Sequence, residues 1–228
     1  MIKNRLHVFL YSVYAGLVIA LGGLLYLISV AYIPDTYIAK LVGSLLFPVG
    51  LLLVLFFRFN LYTGKIGVAF RNKSINKEGL STVEWLINIL LGNLVGAFIL
   101  GFIIYGLCQI GPQSKFAISV INAGNSRNIA WTAKDIIDMS YKSILCGALV
   151  YLAVLFFNKG NNLLIKVSGV VVPIAFFVFA GFQHCVANMF YLAASLTFTP
   201  NYLVGLVIAI FGNSIGAILL DLFVKYDK

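Results

Sequence analysis

The sequence contains GNLVGA at residues 92–97 and GNSIGA at residues 212–217, each inside a long apolar run. Each segment lies in the third apolar run of its half of the chain, and the run before it is oversized and interrupted by polar residues. If each run crosses a membrane, a triplet makes an odd number of crossings, so its second copy is inverted relative to the first. Inverted halves with interrupted helices at matching positions place a substrate path near the middle of the membrane. The repeat therefore predicts a transport architecture.

The composition indicates insertion into a membrane. Of 228 residues, 61% are hydrophobic and 10% are charged, whereas a soluble domain has about 25% charged residues. Six apolar runs reach the roughly 20 residues that a helix needs to cross a bilayer. We therefore predict an all-α polytopic membrane protein with a single transmembrane domain over residues 1–228, in which inverted repeats cover about 7–108 and 135–224. The runs lie at about 7–32, 41–70, 81–108, 135–157, 163–197 and 200–224.

The second and fifth runs are too long to be straight spanning helices. They cover about 30 and 35 residues, which as continuous helices would measure about 45–50 Å against a hydrocarbon core of about 30 Å. The second run contains the polar stretch NLYTG at residues 60–64, and the fifth contains Gln183, His184 and Asn188. Both spans are therefore predicted to be broken helices, which gives an inverted 3+3 arrangement.

The basic residues indicate orientation. A formal charge of +9 would suggest a nucleic-acid partner for a soluble protein, but here the Lys and Arg residues lie mostly in short loops, so no such partner is expected. Positively charged loops are favoured on the cytoplasmic side, and the bias predicts cytoplasmic N- and C-termini in the plasma membrane. The residues on the predicted cytoplasmic side are Lys3, Arg5, Arg71, Lys73, Lys77, Lys159, Lys166, Lys225 and Lys228, and those on the other side are Lys40, Lys115, Arg127 and Lys134.

Two polar side chains at membrane depth are candidates for contact with a solute. His184 lies inside a span, where an ionisable residue usually marks an ion or proton path. With a reference pKa near about 6.5, an imidazole can exchange a proton with a weak acid. Thr63 lies at the matching break of the second run. Its hydroxyl can bond back to its own helix, or it can donate to and accept from a passing solute.

The asparagines of the repeat and one lysine have both a structural and a functional interpretation. The Gly-x-x-x-Gly spacing permits close helix packing, but Asn93 and Asn213 each bury an amide that must bond across helices or face water. We expect Asn213, more than Asn93, to face a pore. Lys142 lies about two turns into the fourth span, where it can snorkel to the interface or attract anions.

Several motifs in the same order resemble the formate/nitrite transporter family. They are LYTG at 61–64, GNLVGA at 92–97, GFQHCVANMF at 181–190 and GNSIG at 212–216, with ILC at 144–146 and LVYLA at 149–153 similar to the fourth-span motif. The resemblance covers nearly the whole chain. It implies an aquaporin-like protomer, a homopentamer in the lipid bilayer, and one pore per protomer for small monovalent anions such as formate, nitrite, hydrosulfide, acetate or lactate.

The resemblance also implies roles for individual residues. Thr63 and His184 match the central polar pair of the pore, with Asn213 near His184, and Lys142 matches a basic residue of the fourth span. The positions that match the pore constriction are Phe47, Leu51, Leu61 and Phe177. Periodicity alone does not show that these four apolar residues constrict a pore.

A few positions depart from the family pattern. Two acidic residues and one asparagine are replaced, a small residue is an arginine, and the lysine usual at the outer start of the fourth span is displaced by about one turn. These changes bear on anion preference and pH response and not on the fold. The replaced acidic residues are at Asn60 and Gln183, and the replaced asparagine is at Gly147. The arginine is Arg58, and the usual lysine position is Trp131, with Lys134 about one turn later.

We expect the anion to cross as its neutral acid, because a bare charge in an apolar neck costs several kcal/mol. The basic surface and Lys134 or Arg127 would gather anions at the vestibules, where the N-termini of the half-helices would stabilise them further. A proton would then reach the anion at the neck, either from His184 or through water.

Two other functional classes fit the sequence less well. A channel for water, glycerol or ammonia suits broken helices, but the paired Asn-Pro-Ala signature of aquaporins is absent from the sequence. A membrane-embedded enzyme would need a metal cluster, a Ser/His arrangement or an acidic pair at depth. The single intraspan histidine and the three cysteines without metal-type spacing argue against an enzyme, a bound metal or a cofactor.

Overall fold

A computed structural model describes residues 2–70, 80–130 and 132–226. Arg71, Lys73, Lys77, Trp131 and Lys228, which entered the predictions above, lie outside these ranges. Within the described ranges every regular element is a helix, as predicted. The helices are α1 (Ile2–Tyr32), α2 (Thr36–Leu46), α3 (Val49–Phe56), α4 (Tyr62–Ala69), α5 (Thr82–Ile110), α6 (Lys115–Asn125), α7 (Ala133–Lys159), α8 (Leu163–Ala180), α9 (Cys185–Ser195) and α10 (Pro200–Tyr226).

Six segments of the described chain are long and apolar enough to cross a membrane, which confirms the predicted number. They are formed by α1, by α2 together with α3, and by α5, α7, α8 and α10. Six crossings return the chain to the side on which it started. We call the face where α1 begins and α10 ends the terminal face, and the opposite one the distal face.

Both predicted breaks are present. The second run is divided into α2, α3 and α4, with Pro48 between the first two and residues 57–61 between the last two. The fifth run is divided into α8 and α9 by residues 181–184. Local sequence explains the second break, since Gly181 follows α8 with a φ of 74°, a left-handed conformation that glycine adopts without steric cost.

The two halves pack their first and third spans in the same way. A Cβ atom on Gly96 of α5 would lie 1.9 Å from the carbonyl oxygen of Val13 in α1, and one on Gly216 of α10 would lie 1.9 Å from the carbonyl oxygen of Ile144 in α7. Only glycine permits such close approach of two backbones. The repeated Gly-x-x-x-Gly segments are therefore packing surfaces, and their equivalence gives the fold its inverted 3+3 symmetry.

Helix α6 was not predicted from the sequence, which was expected to hold no span between residues 108 and 135. The helix begins after Ser114, whose hydroxyl accepts the N–H of Ala117 at 3.1 Å and so caps the first turn. Its buried residues include Val120 and Gly124, and it packs against α1 and α9. With 11 residues it is too short to cross a bilayer, and it covers the distal end of the bundle.

Candidate functional site

A single asparagine of α5 holds the first chain break. Asn93 Oδ1 accepts the N–H of Tyr62, the first residue of α4, at 2.8 Å. The Nδ2 group of the same side chain donates to the carbonyl oxygens of Ser12 and Asn60, each at 2.8 Å. The side chain thereby satisfies backbone groups that an interrupted helix leaves without partners. Asn93 is fully buried, and its bonding capacity is used within the protein.

Asn213 of α10 holds the second break with the same geometry. Its Oδ1 accepts the N–H of Cys185, the first residue of α9, at 2.8 Å. Its Nδ2 donates to the carbonyl oxygens of Ser143 and Gln183, each at 2.8 Å. The structure thus places Asn213 as a clamp on the backbone, and it is not among the residues that line the two cavities described below. This placement differs from the expectation that its amide faces the pore.

Gly147 explains why one departure from the family pattern is compatible with the fold. A Cβ atom at this position would lie 2.1 Å from the carbonyl oxygen of Asn213. No asparagine side chain fits between α7 and α10 at this separation. The small residue is therefore a packing requirement of this chain.

The helices before the two breaks end in matching motifs. The N–H of Phe59 donates to the carbonyl oxygen of Val54 at 2.9 Å after α3, and the N–H of Phe182 donates to that of Phe177 at 2.9 Å after α8. Both are Schellman ends, which need one residue in the left-handed conformation. That residue is Gly181 after α8, but after α3 it is Arg58, with a φ of 58°. Arg58 and Gly181 therefore occupy equivalent positions in the two halves, and three residues later Leu61 is equivalent to His184.

The structure brings the predicted polar pair together. Thr63 Oγ1 lies 3.0 Å from His184 Nε2, although 121 positions separate them in the chain. Both residues are buried, with exposed fractions of 0% and 3%. His184 also caps α9, because its Nδ1 accepts the N–H of Ala187 at 3.2 Å. A ring that accepts at Nδ1 carries its hydrogen on Nε2. His184 therefore donates to Thr63, which leaves the hydroxyl hydrogen of Thr63 for another acceptor.

Apolar side chains surround this pair on both sides. The rings of Phe47 and Phe177 meet edge to face with centroids 5.7 Å apart, and the Phe177 ring lies 6.0 Å from the imidazole of His184. Leu51 and Leu61 are each 2% exposed. All four residues that match the family's constriction are therefore buried, and we call these four residues the neck.

A cavity approaches the neck from each face. The distal cavity, of about 600 Å³, is lined by Phe47, Phe177 and His184, and the terminal cavity, of about 570 Å³, is lined by Leu51 and Leu61. Among the described residues, no Asp or Glu lines either cavity. Both linings contain cations: Lys40, Lys115, Arg127 and Lys142 in the distal cavity, and Arg58, Lys65 and Lys166 in the terminal cavity.

The three residues predicted to attract anions differ in their placement. Arg127 lines the distal cavity, and its guanidinium lies 3.9 Å from the ring centroid of Tyr191. Lys142 lines the same cavity, but its Nζ lies 2.6 Å from Asp138 Oδ2, which offsets its charge. Lys134 is exposed and is not among the cavity-lining residues.

Polar side chains connect Arg127 to the second break. Arg127 Nε donates to Asn188 Oδ1 at 2.8 Å, and Asn188 Nδ2 donates to Gln183 Oε1 at 3.0 Å. Gln183 is the position at which the family usually has an acidic residue. A carboxylate there would bring a negative charge close to His184 and Arg127, and the amide leaves the arginine charge without that compensation.

Two features near the terminal cavity were missed from the sequence. Asp221 is 4% exposed, and the hydroxyl of Tyr151 donates to its Oδ1 at 2.6 Å. Lys65 lies on α4, two positions after Thr63, and lines the cavity. Asp221 and Lys65 could have been identified from the sequence, because a charged residue inside an apolar run is unusual at membrane depth.

The comparisons with known proteins agree with this geometry. The family model described as Formate/nitrite transporter matches residues 2–226. The Uncharacterized transporter YrhG of Bacillus subtilis (strain 168) is 33% identical over 233 residues, which cover 93% of this chain and 82% of that protein. Formate channel FocB of Escherichia coli (strain K12) is 28% identical over 194 residues, which cover 82% of this chain and 66% of that protein.

Solved structures show the same fold. One described as a pentameric formate channel with formate bound superimposes with a TM-score of 0.85 at 24% sequence identity, covering 99% of each chain. Another, described as an FNT family ion channel, superimposes with a TM-score of 0.80 at 23% identity, covering 99% of this chain and 92% of the other. The family model and its relatives are transporters and channels, which confirms the expectation of a transport protein and not an enzyme. The chain is a multi-pass membrane protein that belongs to the formate/nitrite transporter family.

Proposed function

We propose that this protein is a channel for the monovalent anions of small weak acids, among which formate, nitrite, hydrosulfide, acetate and lactate are the candidates. One observation carries the proposal: the buried Thr63–His184 pair lies at an apolar neck between two cavities, and the described residues that line these cavities include cations but no Asp or Glu. FocB and a superimposable structure are described as formate channels, which supports formate as the first substrate to test.

Electrostatics favours anions in both cavities. Partly solvated cations attract an anion by about 1 kcal/mol each or less, and several on one cavity wall raise the local anion concentration further. Arg127, Lys40 and Lys115 contribute on the distal side, whereas the charge of Lys142 is offset by Asp138 at 2.6 Å. Cations would be repelled from both cavities, so selectivity by charge sign begins before the neck.

The neck passes the neutral acid and not the bare anion. An uncompensated charge among Phe47, Phe177, Leu51 and Leu61 would cost several kcal/mol, whereas a protonated acid carries no net charge. The proton comes from water at the pair, either directly or relayed by His184, which takes one proton from water for each one it gives up. Because Nε2–H of His184 donates to Thr63, the Thr63 hydroxyl can in turn donate to a carboxylate and hold it beside the proton source.

We also infer the assembly and the location of the protein. We infer a homopentamer with one pore in each protomer, because the superimposable formate channel is described as pentameric. Residues 1–228 form a single transmembrane domain built from the two inverted repeats. The protein lies in the plasma membrane with its terminal face, and so both termini, toward the cytoplasm. Native mass spectrometry in detergent tests the stoichiometry, and a monomer under gentle conditions would contradict it.

Flux into proteoliposomes tests the function. Formate, nitrite, hydrosulfide and lactate are supplied between about pH 5 and 8 to the wild type, Thr63→Ala and His184→Asn. We expect formate flux in the wild type that rises as the pH falls, a large loss in Thr63→Ala, and altered pH dependence in His184→Asn. Unchanged pH dependence in His184→Asn would rule out the imidazole as proton donor. Glycerol-driven swelling without formate flux would replace the proposal with a neutral-solute channel.

A further inference from the structure

Arg58 occupies a backbone position that disfavours it. It follows α3 with a φ of 58°, in the left-handed conformation in which a Cβ atom approaches the following carbonyl group. The matching position after α8 is Gly181, with a φ of 74°. The chain therefore uses glycine for this motif in one half and accepts a less stable arginine in the other. The hydrogen bonds of the motif involve backbone atoms alone and do not require arginine.

Arg58 is one of the residues that line the terminal cavity. It is exposed and lines the cavity whose inner end is formed by Leu51 and Leu61. No described residue forms an ion pair or a side-chain hydrogen bond with its guanidinium. Lys166 lines the same cavity, with its Nζ 5.4 Å from the ring centroid of Phe157. Together with Lys65, which also lines this cavity, three cations border the terminal approach to the neck.

The loop that carries Arg58 adds no compensating negative charge. Asn60 stands where the family usually has an acidic residue, and its backbone N–H and carbonyl groups are bonded to Tyr11 and Asn93. An acidic residue two positions from Arg58 would lower the positive potential of the cavity. The substitution pattern in this chain acts in the opposite direction, since it removes a carboxyl group and adds a guanidinium.

We propose that Arg58, together with Lys166, forms an anion-binding site in the terminal cavity that holds the transported weak-acid anion before it reaches Leu51 and Leu61. The inference rests on the proposed function and extends it to the side of the neck opposite His184. The planar guanidinium suits a carboxylate, which it can bind through two parallel hydrogen bonds. A lipid phosphate has related anionic chemistry, but the placement of Arg58 in the cavity favours the free anion.

Formate flux supplied from the terminal side tests the site. The variants are Arg58→Gly, Arg58→Asn and Arg58→Lys, in vesicles of neutral phosphatidylcholine whose protein orientation is determined by protease access to the C-terminus. Lys159→Gln is the matched control, because Lys159 is an exposed cation near the same face and is not among the cavity-lining residues.

We expect the KM for terminal-side formate to rise about two- to fivefold in Arg58→Gly and Arg58→Asn at low salt, and the difference to shrink as salt is added. Arg58→Lys should retain only part of the wild-type affinity, because lysine keeps the charge but not the two parallel hydrogen bonds. The KM for distal-side formate should not change. In the same samples Arg58→Gly should raise the unfolding temperature by about 2–4 °C, since glycine relieves the backbone.

The outcomes separate this site from the function on which it depends. Wild-type formate flux with an unchanged terminal-side KM in Arg58→Gly would overturn the site and leave the channel intact. A change that appears only in vesicles with added anionic phospholipid would assign Arg58 to lipid headgroups. Absence of flux of formate and of every other candidate anion in the wild type would refute the proposed function and this site with it.

Discussion

Replacing Asn213 by alanine tests whether this residue is a structural clamp or a contact for the solute. The side chain makes three hydrogen bonds, with the N–H of Cys185 and the carbonyl oxygens of Ser143 and Gln183, each at 2.8 Å. Alanine removes all three and leaves these buried backbone groups without their partners. Asn93→Ala is the matched variant, because Asn93 makes the equivalent three bonds at the other break.

The expected loss can be worked from those contacts. Hydrogen bonds between membrane helices contribute about 0.6 kcal/mol on average and up to about 1.7 kcal/mol. Three bonds therefore correspond to a loss of about 2–5 kcal/mol in the free energy of unfolding. The break at residues 181–184 carries His184, so its distance to Thr63 is expected to change as well, and formate flux should fall together with stability.

Unfolding of the purified protein by SDS titration measures the free energy, and formate flux is measured on the same preparations. We expect Asn213→Ala and Asn93→Ala to be destabilised to a similar extent. If the Asn213→Ala protein had wild-type stability and strongly altered anion selectivity, Asn213 would not be a structural clamp. The interpretation of Asn213 as a pore-facing residue would then be restored.

Three further changes test the packing, the charge and the neck. Gly147→Ala places a Cβ atom 2.1 Å from a backbone oxygen of α10, so it should lower the free energy of unfolding in SDS titration by about 1–3 kcal/mol. The control Gly106→Ala has no atom within 4 Å of its new Cβ and should be neutral or stabilising by about 1 kcal/mol. Equal effects of the two variants would contradict the packing argument. Asp138→Asn releases the exposed ion pair of Lys142 and should lower the distal-side KM for formate by about twofold or less, a change that high salt must abolish. Phe177→Ala removes a ring of the neck and should raise glycerol permeability in a swelling assay, and an unchanged rate would place the constriction elsewhere.

The membrane architecture was predictable because it depends on local properties of the sequence. A span needs only a sufficient length of apolar residues, and six such lengths are visible in the composition along the chain. Polar residues inside an apolar run indicate a break. The break at 181–184 contains Gln183 and His184, whereas the break at 57–61 overlaps the stretch NLYTG only at residues 60 and 61, because α4 begins at residue 62. Helix α6 was missed, although Ser114 just before the mostly apolar residues 116–121 is a readable N-cap.

The placement of side chains was only partly predictable. The spacing of Asp138 and Lys142 is that of neighbours on one helix face, so their ion pair could have been anticipated from the sequence. The hydrogen bonds of Asn213 could not, because an amide at membrane depth satisfies the same requirement with a backbone group or with water. Apolar residues are still less informative, since Phe47 and Phe177 have no property in the sequence that separates a pore from a lipid-facing surface.

The sequence by itself determined that this protein spans a membrane six times in two inverted halves and that Thr63 and His184 lie at matching breaks. Only the tertiary structure decided that their side chains meet at 3.0 Å, that Asn213 serves the backbone, and that Arg58 takes a glycine position beside a cavity. The physical reason is that hydropathy and turn signals act over a few residues. Contacts between residues more than a hundred positions apart depend on how the helices pack. The distances between helices are set by glycine contacts such as that of Gly216 with Ile144.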